Sequence, residues 1–131
     1  QILSLLDDLR SERGLAIIFI THDFGVVAQL CDRVAVMYAG RIIEEGPTHA
    51  VLEAPAHPYT RRLIACVPEL GGGRRKLSAI PGLPPVVDDL PPGCAFAPRC
   101  DKAQEACRTG EIALVGAAPR AVRCLFPEEL T

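Results

Sequence analysis

Leu15-Ala16-Ile17-Ile18-Phe19-Ile20-Thr21-His22-Asp23 is the stretch from which the rest of the chain can be read. Leu15 to Ile20 is a continuous apolar run rich in β-branched residues, which predicts a strand buried on both faces, as in a parallel sheet. Thr21-His22-Asp23 ends it, and a short helix from Phe24 to Leu30 is expected next, with Asp23 or Thr21 available as its cap. His22 then falls at the carboxyl end of a buried strand, which is where open α/β sheets bind ligands. An imidazole there offers both a donor and an acceptor near neutral pH and could meet a phosphate or its attacking water. On position alone, a capping or surface histidine is the plainer reading, since one motif is only a hypothesis.

Upstream, residues 1–13 read as a helix. Ile2, Leu3, Leu5, Leu6 and Leu9 form an apolar stripe at helical spacing, and Gly14 is its stop. Downstream, Arg33 to Tyr38 and Arg41 to Glu45 read as two strands around an Ala39-Gly40 turn, hence a hairpin. Pro47-Thr48 begins a short helix through Leu52, and Pro58 begins another through about Cys66. From Pro68 to Pro92 the chain holds Pro68, Pro81, Pro84, Pro85, Pro91, Pro92 and the triplet Gly71-Gly72-Gly73. Such a composition resists helix and central strand alike and predicts an extended surface linker. Within it, Arg74-Arg75-Lys76 reads as a solvated basic run. Residues 93–131 form a small cysteine-bearing module. The fold class expected is α/β with these additions.

The whole chain of 131 residues carries 14 Lys+Arg against 16 Asp+Glu, a net charge of -2, which gives no electrostatic footprint for nucleic acid. No apolar run approaches the roughly 20 residues that a membrane-spanning helix needs. A first residue of Gln1 rather than Met reads as a processed, truncated or excerpted chain.

Ile18-Phe19-Ile20-Thr21-His22-Asp23 resembles the switch-histidine segment of ABC-transporter ATPases. Gln1-Ile2-Leu3-Ser4-Leu5-Leu6 looks like the helix after their D-loop. Residues 33–46 are similar to the strand pair that follows the histidine, and His57-Pro58-Tyr59-Thr60-Arg61-Arg62-Leu63 is similar to a segment of the dipeptide/oligopeptide branch. The agreement in order and spacing spans residues 1–67. The resemblance implies the C-terminal part of a P-loop NTPase domain, with ATP and Mg²⁺ as cofactors of the full-length subunit. It implies that His22 contacts the γ-phosphate and helps hold the attacking water, a role that suits phosphoryl transfer, where positioning and charge stabilisation dominate. Thr21 and Asp23 would support it. The implied partners are a second ATPase subunit and membrane-spanning permease subunits, at the cytoplasmic face of the inner membrane. The chain has no G-x-x-x-x-G-K-[ST] phosphate loop, no Leu-Ser-Gly-Gly-Gln signature and no acidic strand end for Mg²⁺. Alone it is expected to be inactive. Asp23-Phe24-Gly25 matches a protein-kinase triplet without its companion loops and is coincidence.

Cys94, Cys100, Cys107 and Cys124 are separated by five, six and sixteen residues. Four thiolates can hold a [4Fe–4S] cluster or a tetrahedral zinc, and without a C-x-x-C pair a common zinc ribbon fits poorly. Disulfides suit secreted proteins. A module of this size with few large apolar residues needs a metal, a disulfide or a partner. The same family resemblance implies iron–sulfur, because the C-terminal extension of dipeptide/oligopeptide ATPase subunits carries a similar four-cysteine pattern, and Pro81-Gly82-Leu83-Pro84-Pro85 and Pro91-Pro92-Gly93-Cys94 look like that extension. Cys31 and Cys66 are expected as buried apolar residues. His49 reads as a surface residue at a helix start and His57 as a loop residue before proline. The expected division is residues 1–67, 68–92 and 93–131. The competing function is a non-enzymatic, metal-stapled docking or regulatory module.

Overall fold

The computed structural model describes residues 2–67, 79–86 and 88–128. Residues 68–78 and 87 of the expected linker, including Arg74-Arg75-Lys76, lie outside these residues.

Helix α1 (Ile2–Arg13) ends at Gly14, whose φ of 62° suits a residue without Cβ. Helix α2 (Phe24–Leu30) is capped as its sequence predicts. The Asp23 carboxylate accepts from the Gly25 N–H at 2.8 Å and the Val26 N–H at 3.3 Å, and Thr21 Oγ1 accepts from the Asp23 N–H. Between the helices, Leu15 to Ile20 corrects the sequence expectation. It is not a strand, and among the described residues none pairs with it. Its side chains are exposed, Ile18 at 93% and Ile20 at 96%. Strand character is completed by neighbours that satisfy the backbone on both sides, and an apolar, β-branched composition alone cannot supply them.

Strands β1 (Arg33–Tyr38) and β2 (Arg41–Pro47) form the expected hairpin, closed by a two-residue turn. Both turn residues have positive φ, 48° at Ala39 and 77° at Gly40, as the turn types matching strand twist require. Val36 pairs with Glu44 but Met37 pairs with Ile42, so Ile43 is a bulge. The bulge breaks alternation and turns two successive side chains, Ile43 and Glu44, inward. Strand β3 (Ala121–Val122) adds to the other edge of β2, through Glu44 opposite Val122 and Glu45 opposite Ala121. The sheet order is β1-β2-β3.

Helices α3 (Thr48–Glu53) and α4 (Pro58–Ala65) follow the hairpin. Pro58 opens α4 where a missing N–H costs nothing, and His57 caps it. Val36, Tyr38, Ile43, Val51 and Phe96 form the core, with Tyr59, Leu63, Ile80, Cys94 and Cys100 packed against it. Phe96 joins the cysteine-bearing segment to β1 and the start of α4. Its ring centroid lies 5.4 Å from Tyr38, 5.3 Å from Tyr59 and 6.0 Å from His57, edge-on or tilted, the arrangements aromatic rings prefer. Arg99 straps residues 80–81 onto this core, donating to the Pro81 carbonyl at 2.9 Å, the Ile80 carbonyl at 3.0 Å and the Tyr38 hydroxyl at 3.2 Å.

Candidate functional site

The residues singled out in the sequence fall in two places. His22 lies exposed in the turn before α2. With Leu15–Thr21 it lines an open groove of about 860 Å³, completed by α1, α2, the hairpin and α4. The groove is largely apolar and carries Arg10, which is paired with Asp7 at 3.0 Å and Asp32 at 2.9 Å.

The cysteines converge elsewhere. Cys94, Cys100, Cys107 and Cys124 all line one small cavity of about 20 Å³, walled also by His57, Ala97, Ile112 and Phe126. Two short 3₁₀ turns, Ala97–Arg99 and Glu105–Arg108, place Cys100 and Cys107. The Cys94 N–H donates to the Cys107 carbonyl at 2.8 Å. That approach requires Gly93, because a Cβ there would lie 2.3 Å from the same carbonyl oxygen. Cys124 is brought in by its neighbour Arg123, which donates to the Ile42 carbonyl at 2.9 Å and the Ile112 carbonyl at 2.6 Å.

All six cysteines are free thiols. Burial raises the pKa of Cys94, while the N–H groups of Phe96 and Ala97 pull it back. Burial pushes Cys124 up to about 11 against one such bond from the Phe126 N–H. Backbone amides aimed at sulfur are the donors that a thiolate would use. Four thiols around one cavity are the donor set that iron–sulfur and zinc centres share. They share a cavity without forming a coordination sphere: among the described residues, no three His, Cys, Asp or Glu side chains stand close enough to hold one ion.

Three residues of this site escaped the sequence reading. His57, expected as a loop residue, is 1% exposed. Its Nδ1 accepts from the Tyr59 N–H at 3.0 Å, and burial lowers its pKa to about 4 against a smaller upward pull from Glu44. Glu44 is fully buried, accepting from the Ala56 N–H at 2.8 Å, the His57 N–H at 2.9 Å and Arg120 Nη2 at 2.9 Å. Arg120 also donates to the Ala54 carbonyl. The Pro58 that starts α4 was the available signal for His57, since the residue before such a proline is the capping position. Cys31 and Cys66 are partly exposed rather than buried. His49 is exposed, as expected.

Among the described residues no helix is long and apolar enough to cross a membrane. Residues 43–107 match the family model described as the oligopeptide/dipeptide transporter, C-terminal region. The chain is 52% identical over 113 residues to a putative peptide import ATP-binding protein of Brucella ovis, covering 82% of this chain and 33% of that protein. It is 44% identical over 130 residues to the oligopeptide transport ATP-binding protein AppD of Bacillus subtilis, covering 98% and 40%. It is 40% identical over 128 residues to the dipeptide transport ATP-binding protein DppD of Escherichia coli, covering 97% and 39%. The chain therefore spans between a third and two fifths of the length of the curated relatives it matches.

Proposed function

Given that this chain belongs to the oligopeptide/dipeptide transporter family, whose C-terminal region its residues 43–107 match, we propose that it is the C-terminal part of the ATP-hydrolysing subunit of a peptide importer. The observation that carries the reading is identity of 40–44% along almost the whole chain to proteins named as ATP-binding subunits of dipeptide and oligopeptide transport. In that setting the subunit binds ATP and Mg²⁺ through residues upstream of Gln1. It pairs with a second ATPase subunit and docks on membrane-spanning permease subunits, peripheral to the cytoplasmic face of the membrane.

Within this reading, residues 1–67 complete the ATPase domain and His22 meets the γ-phosphate. Its position supports the role in one respect: it lies exposed on the apolar groove, directly before a helix capped by Asp23. Residues 68–92 link this part to residues 93–131. There Cys94, Cys100, Cys107 and Cys124 hold a [4Fe–4S] cluster, with zinc as the alternative. Support for a thiolate-held centre comes from the four cysteines lining one cavity and from amides directed at Cys94 and Cys124. Bound there, the cluster staples a region whose own apolar core is small.

The test uses the full-length subunit assembled with its partners. His22→Ala is expected to lower ATP hydrolysis on the order of 10²-fold or more while leaving ATP binding intact, as loss of a positioning group in the reacting complex does. Unchanged hydrolysis removes His22 from the mechanism. Iron and sulfide analysis of anaerobically purified protein is expected to give about four irons per chain. One zinc and no iron per chain establishes the alternative.

A further inference from the structure

His57 is buried against the four-cysteine cavity, and its two ring nitrogens are in different situations. Nδ1 accepts the Tyr59 N–H at 3.0 Å, so it carries a lone pair and no proton. In the neutral ring the proton then sits on Nε2. Nε2 is fully buried and has no hydrogen-bond partner among the described residues. Native structures rarely leave such a donor unused. The ring is one wall of the space lined by Cys94, Cys100, Cys107 and Cys124. Its setting is rigid: Glu44 accepts the His57 N–H at 2.9 Å, Pro58 fixes the following turn, and Phe96 packs 6.0 Å away.

We propose that His57 is a positioning and tuning residue of the four-cysteine centre, its Nε2–H donating a hydrogen bond to sulfur of the group those cysteines hold. The inference rests on the reading of an iron–sulfur cluster given above. Ligation by His57 is the rival role, and the tautomer opposes it, because a protonated Nε2 has no lone pair to offer. The four thiols already supply the four ligands that such a cluster takes. Hydrogen bonds to cluster sulfur stabilise the more negative, reduced state and so raise the reduction potential. His57 also joins two regions. Through Glu44 its backbone is tied to β2, and its ring lines the cavity of the four cysteines, so His57 connects the cysteine cavity to the hairpin.

The experiment is an EPR-monitored redox titration of the full-length subunit, purified anaerobically, in wild-type, His57→Phe and His57→Gln forms, with iron counted in each. His57→Phe keeps the ring and removes the donor. His57→Gln restores an N–H. The expected result is an unchanged iron count in all three, a potential lowered in His57→Phe, and partial recovery in His57→Gln. If His57→Phe fails to hold the cluster, the comparison of wild type with His57→Gln carries the test, a displaced potential supporting the proposal. Pulsed EPR of wild-type protein labelled with [¹⁵N]histidine is expected to show a weak nitrogen coupling to the reduced cluster that His57→Gln lacks. Equal potentials with equal iron overturn the role of His57 and leave the cluster intact. Loss of one iron per cluster in both variants overturns it in favour of ligation. Wild-type protein without iron overturns both readings.

Discussion

Glu44 and Arg120 meet at 2.9 Å across 76 positions of sequence, with Glu44 wholly buried and Arg120 6% exposed. The pair ties the hairpin to the segment that bears Cys124. Each partner is also used by the backbone, Glu44 by the Ala56 and His57 amides and Arg120 by the Ala54 carbonyl. A buried charge retained in this way is costly to orphan, because the remaining partner keeps its desolvation penalty.

Removing one partner is therefore expected to cost more than the loss of a surface ion pair. Arg120→Ala should lower stability by about 3–5 kcal/mol, read as a shift in the denaturation midpoint. The pair is tested by a double-mutant cycle with Glu44→Ala. Additive losses would show that the two residues act separately.

Gly93→Ala is expected to disturb the cysteine cavity directly. The new Cβ would fall 2.3 Å from the Cys107 carbonyl oxygen and 2.7 Å from the Arg108 carbonyl carbon, both backbone atoms that cannot swing aside. A loss of about 1–3 kcal/mol follows from overpacking of this kind, together with reduced iron content. A variant with normal stability and full iron would mean that Cys94 does not need its bond to Cys107.

The hairpin turn offers a change in the other direction. Ala39 holds φ at 48°, a region where a Cβ is unfavourable and where Asn is better tolerated. Ala39→Asn is expected to add roughly 0.5–1 kcal/mol of stability, seen as a raised thermal midpoint. A lowered midpoint would point instead to the packing that Ala39 makes against the core.

Acid sensitivity is expected at one surface corner. Lys102 donates to Glu128, and Arg61 Nη1 donates to the same oxygen at 2.7 Å. The Lys102 hydrogen bond leads in holding the Glu128 carboxyl below its ordinary value. A carboxyl lowered on folding adds stability above its unfolded pKa, about 4.3 for Glu, and loses it as pH falls through the folded value. Below about pH 4 the wild type should lose thermal stability more steeply than Glu128→Gln. The difference should shrink in about 1 M salt, because the group is exposed and screened. Parallel acid slopes would remove Glu128 from the account.

Local rules made much of this chain legible. Asp23 announces α2 because its carboxylate meets the first amides, and Pro58 announces α4 because proline suits an opening turn. The Ala39-Gly40 pair marks the hairpin, and the four cysteines after the proline-rich stretch line a common cavity. What stayed hidden depends on contacts that spacing does not encode. Leu15–Ile20 has strand composition without a strand's neighbours. Glu44 sits in a run, Ile43-Glu44-Glu45, that alternation would place half outside; only the bulge at Ile43 turns it in. His57 looks like a loop residue until Phe96, some 40 positions later, covers it. Strand β3 has two residues, too few for any period to show.

The third strand of the sheet has a consequence for the making of the protein. Residues 33–47 reach the ribosome's exit well before Arg120 and Ala121–Val122 do, so the hairpin must wait with a bare edge and a carboxylate lacking its guanidinium. A chain stopped anywhere short of residue 120 keeps that defect permanently. Unpaired edges and uncompensated charges mark a polypeptide for chaperones and proteases, so residues 120–122 relieve the hairpin of a liability that every shorter chain keeps.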